Sequence, residues 1–548
     1  MDQASPYDYT GLKRYAPSTE GLCIEQWKGE KIDTQELARD FAEVRRQIKA
    51  DWGQRLQREV KVVCYASLEE KALRTQRMEV AHYTPENGEV HLVQNRFFQG
   101  MDWGEQYRPL LREALGEAAF DALEMGLALH YRRHIQGQDW RSWARQLASI
   151  DALVAPSKLT QQGWQDYYPL LGLISAASWV EYLYETLDPQ AFIQYYRQGD
   201  QHAALGQQQA AWSRWVLDHY PRAGARPRRL PTVRLNGFTL AHEGYRIFNG
   251  YGGSLTDASL EHLRQLGTNA VAIVPYSYLR HPRRVSRIPV MRSAHTENDA
   301  ATVHAHYEAQ ARGQFTLLKP QLWINGAWPG EVDFDTDQEW AAFFQYYRDW
   351  ALHYAQLAEI YGFDAYCIGT ELRHTTLKQP DRWRALIRDV RQIYQGTLTY
   401  AANWGEECEK LTFWSELDYI GVNNYYPLHP DSTATDAELL AGAQAIMDRL
   451  RHLSQINGRP LWLTELGYRS ATTPWIQPHA EAGPRAIDEQ AQARCYEALL
   501  SAMEPEREWL HGMFWWKWPC HLDHNESDGR GYMPLGKPAA TVVKKYFY

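Results

Sequence analysis

The chain has no CxxC pair, and its six cysteines (Cys23, Cys64, Cys367, Cys408, Cys495 and Cys520) are scattered over 548 residues. That scatter excludes a disulfide framework or a zinc knuckle and favours thiols, with one or two long-range bridges as the alternative. A basic block is lacking too: 58 Lys and Arg against 67 Asp and Glu leave a net charge of −9. A mildly acidic chain has no electrostatic footprint for nucleic acid or an anionic membrane. No apolar run approaches the roughly 20 residues that cross a bilayer. The nearest, Leu170 to Val180, is interrupted by Ser175 and Ser178 and followed by Glu181. The opening MDQASPYDYTGLKRY lacks the basic-then-apolar order of a secretory leader. Either the protein is intracellular or the sequence begins after a removed signal.

What the chain does have is an ordinary globular balance, 44% hydrophobic and 23% charged, in a length that allows two to four domains. Its aromatic content stands out, with 22 Trp and 34 Tyr. Such residues fill cores. They also offer flat apolar faces on which sugar rings stack while their hydroxyls stay polar.

One boundary is legible. The stretch Pro221 to Arg234, PRAGARPRRLPTVR, joins three prolines and five arginines with no regular apolar period, and reads as a linker or surface crossing. Residues 1–225 then form a mainly helical α+β domain. Helical period runs through TQELARDFAEVRRQIKADW, RPLLREALGEAAFDALEMGLALHYRRH, WVEYLYETL and DPQAFIQYYRQG, with strands in VKVVCYAS and GEVHLV. In residues 226–548 strand and helix alternate. The strands are FTLAHE, NAVAIVPY, FTLLKPQLW, AYCIGTEL, TLTYAANW, LDYIGVNNYYP, PLWLTELGY and HGMFWWKWP. Alternation of this kind implies parallel pairing, and eight units imply a (β/α)8 barrel. A doubly wound open sheet is second, because no glycine-rich phosphate loop follows the first strand.

Barrel chemistry sits at the C-terminal ends of the strands. Those ends carry His242 and Glu243 on the first, and Lys319, Gln321 and Trp323 on the third. The fourth ends in Thr370 and Glu371, the fifth in Asn403 and Trp404, the sixth in Asn423, Asn424, Tyr425 and Tyr426, the seventh in Glu465, and the eighth in Trp516, Lys517 and Trp518. Two opposed glutamates, one protonated and one ionised, are what glycosidic cleavage requires. Solvated strand ends, or salt bridges to Arg373 or Lys517, are the alternative for either glutamate taken alone. Tyr425 or Tyr426 is placed to donate to the ionised carboxylate. Trp516 and Trp518, two apart on a strand, are expected on one face, where one of them floors the reacting sugar. Trp323, Trp328 and Trp404 are candidate sugar platforms, and Lys319, Asn403, Asn423 and Asn424 candidate hydroxyl contacts. Packing and structural hydrogen bonds compete with each of these assignments.

Taken in order, CIGTEL (367–372), LDYIGVNNYYPL (417–428), WLTELGY (462–468), FWWKW (514–518) and PLGKPAATVVKKYF (534–547) resemble glycoside hydrolase clan A, and within it glycoside hydrolase family 113, known for β-mannanases. The resemblance spans about the last 320 residues. It implies a retaining, endo-acting β-glycosidase that needs no cofactor, with Glu371 as acid/base and Glu465 as nucleophile. Many clan members carry Asn before the acid/base, where it meets the sugar 2-hydroxyl. Thr370 stands here instead, which loosens the assignment of the sugar. The rival from another class is a non-catalytic carbohydrate-binding protein on a repurposed barrel.

Two metal signals are set aside. The loop HLDHNESDGRG (521–531) misplaces the glycine of a calcium loop and has Pro534 where a bidentate Glu should stand. The N-terminal order of elements is similar to gluzincin metallopeptidases, but Arg112, Glu113 and Gly116 occupy the His-Glu-x-x-His positions. Both zinc-binding imidazoles are missing, so that resemblance implies an inactive scaffold. Expected partners are an oligo- or polysaccharide, with no nucleic acid and no membrane, and with protein partners left open.

Overall fold

The computed structural model describes residues 12–15, 21–27, 33–53, 56–199, 205–224 and 230–548. Residues 1–11, which carry most of the leader reading, and 225–229 of the expected linker lie outside the described residues. The chain divides into two compact units: Met1–Ala225 with Arg292–Ala294 and Asn298–Ala300, and Arg226–Met291 with His295–Glu297 and Ala301–Tyr548. No helix among the described residues is long and apolar enough to cross a membrane. All six cysteines are buried and none is bridged.

The first unit holds a five-stranded sheet in the order Leu12–Tyr15, Leu22–Trp27, Val60–Tyr65, Glu89–Val93, Ala81–Thr84. The three central strands pair in parallel and both edges are antiparallel. The stretch from Arg108 to Arg132 is two helices, Arg108–Leu115 and Asp121–Arg132, because Gly116 takes a positive φ of 83° and ends the first. The apolar run around Leu170 is the buried middle of a helix, Pro169–Thr186. Arg112 ion-pairs with the buried Glu124 at 2.6 Å, and the Glu113 carboxylate accepts from the backbone N–H groups of Gln57 and Arg58.

The second unit is the expected barrel. Its strands are β1 Leu235–Ala241, β2 Ala270–Ile273, β3 Phe315–Leu318, β4 Ala365–Thr370, β5 Thr397–Asn403, β6 Ile420–Asn424, β7 Leu461–Leu466 and β8 Leu510–Pro519. They close in sequence order, each parallel to its neighbours. A helix follows every strand; the one after β5, Glu406–Lys410, is short. The interior fills by complementary size. Ala270, Ala272, Ala365, Cys367 and Ala401 leave room that Tyr419, Trp462 and Phe514 occupy.

Two expected strands are shorter than their apolar runs. Pro275 and Pro320 have no N–H for the ladder, so β2 and β3 stop before them. The chain then resumes as a separate parallel pair, Tyr276–Leu279 against Gln321–Ile324, above the barrel. That pair carries Trp323, 55% exposed, over the strand ends.

Candidate active site

Glu371 follows a register shift in β4 between Cys367 and Thr370. Its backbone sits at φ 53°, a left-handed conformation that a side-chain-bearing residue adopts only when held. The holding contacts are its own N–H to the Ala401 carbonyl at 2.8 Å and the Leu372 N–H to the Tyr400 hydroxyl at 2.7 Å. Its carboxylate accepts from Trp328 Nε1 at 2.6 Å and from Asn423 Nδ2 at 3.0 Å. Asn423 is oriented in turn by Thr464, whose hydroxyl donates to Asn423 Oδ1 at 2.9 Å.

Glu465 lies within β7, also next to register shifts. One carboxylate oxygen takes the Lys319 ammonium and the Gln321 amide, the latter at 2.8 Å. The other accepts from the Tyr425 hydroxyl at 3.1 Å. Glycine is required two residues on: a Cβ at Gly467 would stand 2.5 Å from the Trp516 carbonyl, so β7 can approach β8 this closely only without one.

The two carboxylates feel each other and differ in surroundings. Burial raises the Glu371 pKa above the ordinary value, and the Glu465 charge raises it further. The donors Trp328 and Asn423 and the Lys319 cation pull the other way without cancelling the shift. Glu371 is therefore biased toward its protonated form. Glu465 instead has the Lys319 ammonium, an amide and a phenol as partners, a set of donors that fixes the direction of its carboxyl group.

A cavity of about 500 Å³ opens between the ends of β1, β2 and β8; neither glutamate lines it, but Tyr276 of its wall feels the Glu465 carboxylate. Trp323, Trp516 and Tyr245 are among its aromatic walls, and Glu243, Lys517 and Glu297 among its polar groups. Lys517 pairs with Glu243 and, at 3.3 Å, with Glu526 of the 521–531 loop. His242 and Glu297 face each other at 3.8 Å, both buried. Across the barrel mouth, after β5, Trp404 packs edge-on against Tyr426 at 5.1 Å and near His479.

Several expected side chains are placed elsewhere or used differently. Trp518 is fully buried against Phe238 and His262, its indole donating to Ser259 at 2.9 Å, so it packs in the core rather than flooring a sugar site. A register shift between Trp515 and Trp518 breaks the alternation that would put it on the face of Trp516. Lys319 is not an accessible hydroxyl contact; it is wholly buried on Glu465. Asn424 is 1% exposed with neither amide atom hydrogen-bonded, and its neighbour Asn423 is the one that reaches Glu371. Successive strand residues face opposite ways, so only one of the two can do so. Tyr425 meets Glu465, whereas the Tyr426 hydroxyl accepts from the Gly405 N–H and donates to Glu409. Asn403 uses its backbone N–H on Glu407. Trp328 is tied to Glu371 through its N–H as well as being half-exposed. Tyr245 and Glu297 of the cavity carried no sequence signal, since their loops have no period, whereas Tyr276 ends the second expected strand and was passed over there.

A closed parallel barrel with two coupled glutamates at the ends of β4 and β7 defines the class as glycoside hydrolase. The comparisons name the family: the Glycoside Hydrolase Family 113 profile matches residues 244–537, more than half the chain, and the chain belongs to that family. Among solved structures, a GH113 β-mannanase from Alicyclobacillus acidocaldarius in complex with ManMIm is 28% identical. It has a TM-score of 0.51 and covers 57% of this chain and 97% of that one. Two structures of GH113 β-1,4-mannanase, one of them a complex, are each 24% identical, with TM-scores of 0.50 and 0.51, and share the fold. Each covers 58% of this chain and 99% of that one. No curated protein matches the chain.

Proposed function

We propose that the protein is a retaining β-glycosidase that cuts internal linkages of β-mannan or a related β-linked glycan, with Glu465 as nucleophile and Glu371 as acid/base. The observation that carries the proposal is the unequal environment of the pair: Glu371 raised by burial and by the Glu465 charge, Glu465 engaged by Lys319, Gln321 and Tyr425. In the first step a Glu465 oxygen bonds the anomeric carbon as the glycosidic bond breaks. The leaving oxygen keeps the electron pair and takes the Glu371 proton. In the second, Glu371, now a carboxylate, removes a proton from water. The water oxygen bonds the anomeric carbon and Glu465 departs as a carboxylate. Neither step needs a cofactor. Aromatic side chains on both sides of the pair, Trp323 and Trp516 by β1, β2 and β8 and Trp404 beyond β5, support binding of sugars in both directions from the cut. The 28%-identical β-mannanase supports mannan as substrate.

The test is release of reducing ends from mannan, glucomannan and other β-glycans by the full chain, repeated with Glu465→Gln. Cleavage of at least one β-glycan, lost in the variant, is expected. Binding without cleavage by the unaltered protein would make it a carbohydrate-binding protein instead, and full activity in Glu465→Gln would remove Glu465 from the chemistry.

A further inference from the structure

A third carboxylate lies behind Glu371 and has no cationic partner in its hydrogen-bond shell. Glu407, on the short helix after β5, is fully buried. Its Oε1 accepts from the Tyr400 hydroxyl at 2.7 Å and from the Thr376 hydroxyl at 2.8 Å. Its Oε2 accepts from the Asn403 N–H at 2.7 Å. These three donors come from β5, from its end, and from the helix Arg373–Lys378 that leaves the Glu371 corner. The Tyr400 hydroxyl is itself the acceptor for the Leu372 N–H. A hydrogen-bonded line therefore runs from Glu407 through Tyr400 to the residue next to Glu371, and a second, through Thr376, to the turn beyond it. A phenol that donates to a carboxylate becomes a better acceptor on its own oxygen, so the Glu407 charge tightens the grip on Leu372. The Tyr400 ring has no freedom to let go, being buried against Trp383 at 5.1 Å.

Burying a carboxylate without a cation is costly. Burial pushes the Glu407 pKa up to about 7, with the Glu371 charge a lesser contribution in the same direction. A structural need to fill this space would be met more cheaply by an apolar side chain. The cost falls beside the one strand end where a non-glycine residue is held at positive φ with a carboxyl that has to point at a departing oxygen.

We infer that Glu407 is a positioning residue for the acid/base glutamate, holding Glu371 in its left-handed conformation through Tyr400 and Thr376. The inference rests on the reading of Glu371 as acid/base. It gives Glu407 no contact with substrate. A glutamine there keeps an acceptor for the two hydroxyls but turns an N–H₂ toward the Asn403 N–H, so the clasp should loosen.

The experiment uses the full chain with two substrates sharing one glycone: an unactivated oligosaccharide of the glycan that the protein cleaves, and its dinitrophenyl glycoside, whose leaving group needs no proton. General-acid help is worth roughly 10²–10⁴ in rate, and a misplaced acid forfeits part of it. Glu407→Gln should lower kcat on the oligosaccharide by about tenfold or more with KM little changed, and lower the first step on the dinitrophenyl glycoside by less than about threefold. Tyr400→Phe, which keeps the ring and removes the relay, should give the same split, and it carries the test if Glu407→Gln does not fold. Equal losses on both substrates would overturn the inference, because a damaged or partly unfolded barrel loses both alike; so would no loss on either. Glu371→Ala is the control. If it shows no split, the reading of Glu371 is wrong and the inference falls with it; if it shows the split and the other two do not, only the role of Glu407 is wrong.

Discussion

Replacing Trp328 by Phe separates two jobs that one side chain holds. The ring stays as a surface for sugar, while the N–H that Glu371 accepts at 2.6 Å is lost. That hydrogen bond favours the ionised form of Glu371, as do Asn423 and Lys319, against burial and the Glu465 charge. Removing it therefore raises the Glu371 pKa further. A hydrogen bond to a charged group is worth about 1.5–3 kcal/mol. At 1.36 kcal/mol per pKa unit that corresponds to about 1–2 units. Water can take the place of a half-exposed indole, so the lower end, about one unit, is the expected shift. The assay is the pH dependence of kcat/KM on an unactivated oligosaccharide, whose alkaline limb reports the acid of the free enzyme. In the unaltered protein that limb should already lie above the ordinary carboxylate range, because the Glu371 pKa is raised. In Trp328→Phe it should move to higher pH by about one unit, with KM within about threefold. The charged groups that set the limb, Glu465, Lys319 and Glu407, are untouched by the substitution. A limb that moves to lower pH would refute the electrostatic reasoning. An unmoved limb with a raised KM would show that Trp328 serves only as a platform.

Lys319→Met strips a wholly buried cation from Glu465, and breaking such a pair from one side costs about 3–5 kcal/mol; chemical unfolding should show that loss, and an unchanged midpoint would mean that Lys319 does not hold Glu465. With an activated aryl glycoside, Glu371→Ala should keep much of its first step and be rescued by azide as the β-glycosyl azide, whereas Glu465→Ala should be inactive. A retained β-azide from Glu465→Ala would show the two roles reversed. The first unit should bind no zinc and cleave no peptide, because Arg112 is committed to Glu124, Glu113 to the backbone at 57–58, and Gly116 ends its helix. Stoichiometric zinc by elemental analysis, lost on mutating its ligands, would contradict that.

The barrel was legible because most of the strands' apolar runs are followed by a helix of clear 3.6-residue period, the short Glu406–Lys410 being the exception, and because strand ends are where a barrel keeps its chemistry. Glu371 and Glu465 stand out on that logic alone. Side-chain direction was harder to read, since it depends on bulges that leave no mark in an alternating pattern. The shift between Trp515 and Trp518 turns Trp518 into the core, and the shift at Val422 and Asn423 sits where Asn423, not Asn424, faces Glu371. Lys319 follows β3 directly, and nothing in its neighbours distinguishes a lysine that touches sugar from one that neutralises a buried glutamate. Glu407 reads in sequence as one of several acidic residues in a polar stretch, GEECEK. Only the packed helix shows it to be buried while Glu406 and Glu409 are exposed. In the first unit the edge strands Leu12–Tyr15 and Ala81–Thr84 are four residues each, too short for period to announce them.

The central claim is a double displacement on Glu465, and the stereochemistry of the first product tests it most directly. Proton NMR of a β-linked oligosaccharide during the first minutes of cleavage, before the anomers equilibrate, resolves which one the enzyme releases. Two inversions at the anomeric carbon predict the β-anomer, with the Glu371 and Glu465 carboxyls about 5–5.5 Å apart. Release of the α-anomer would mean a single displacement by water and would contradict the account.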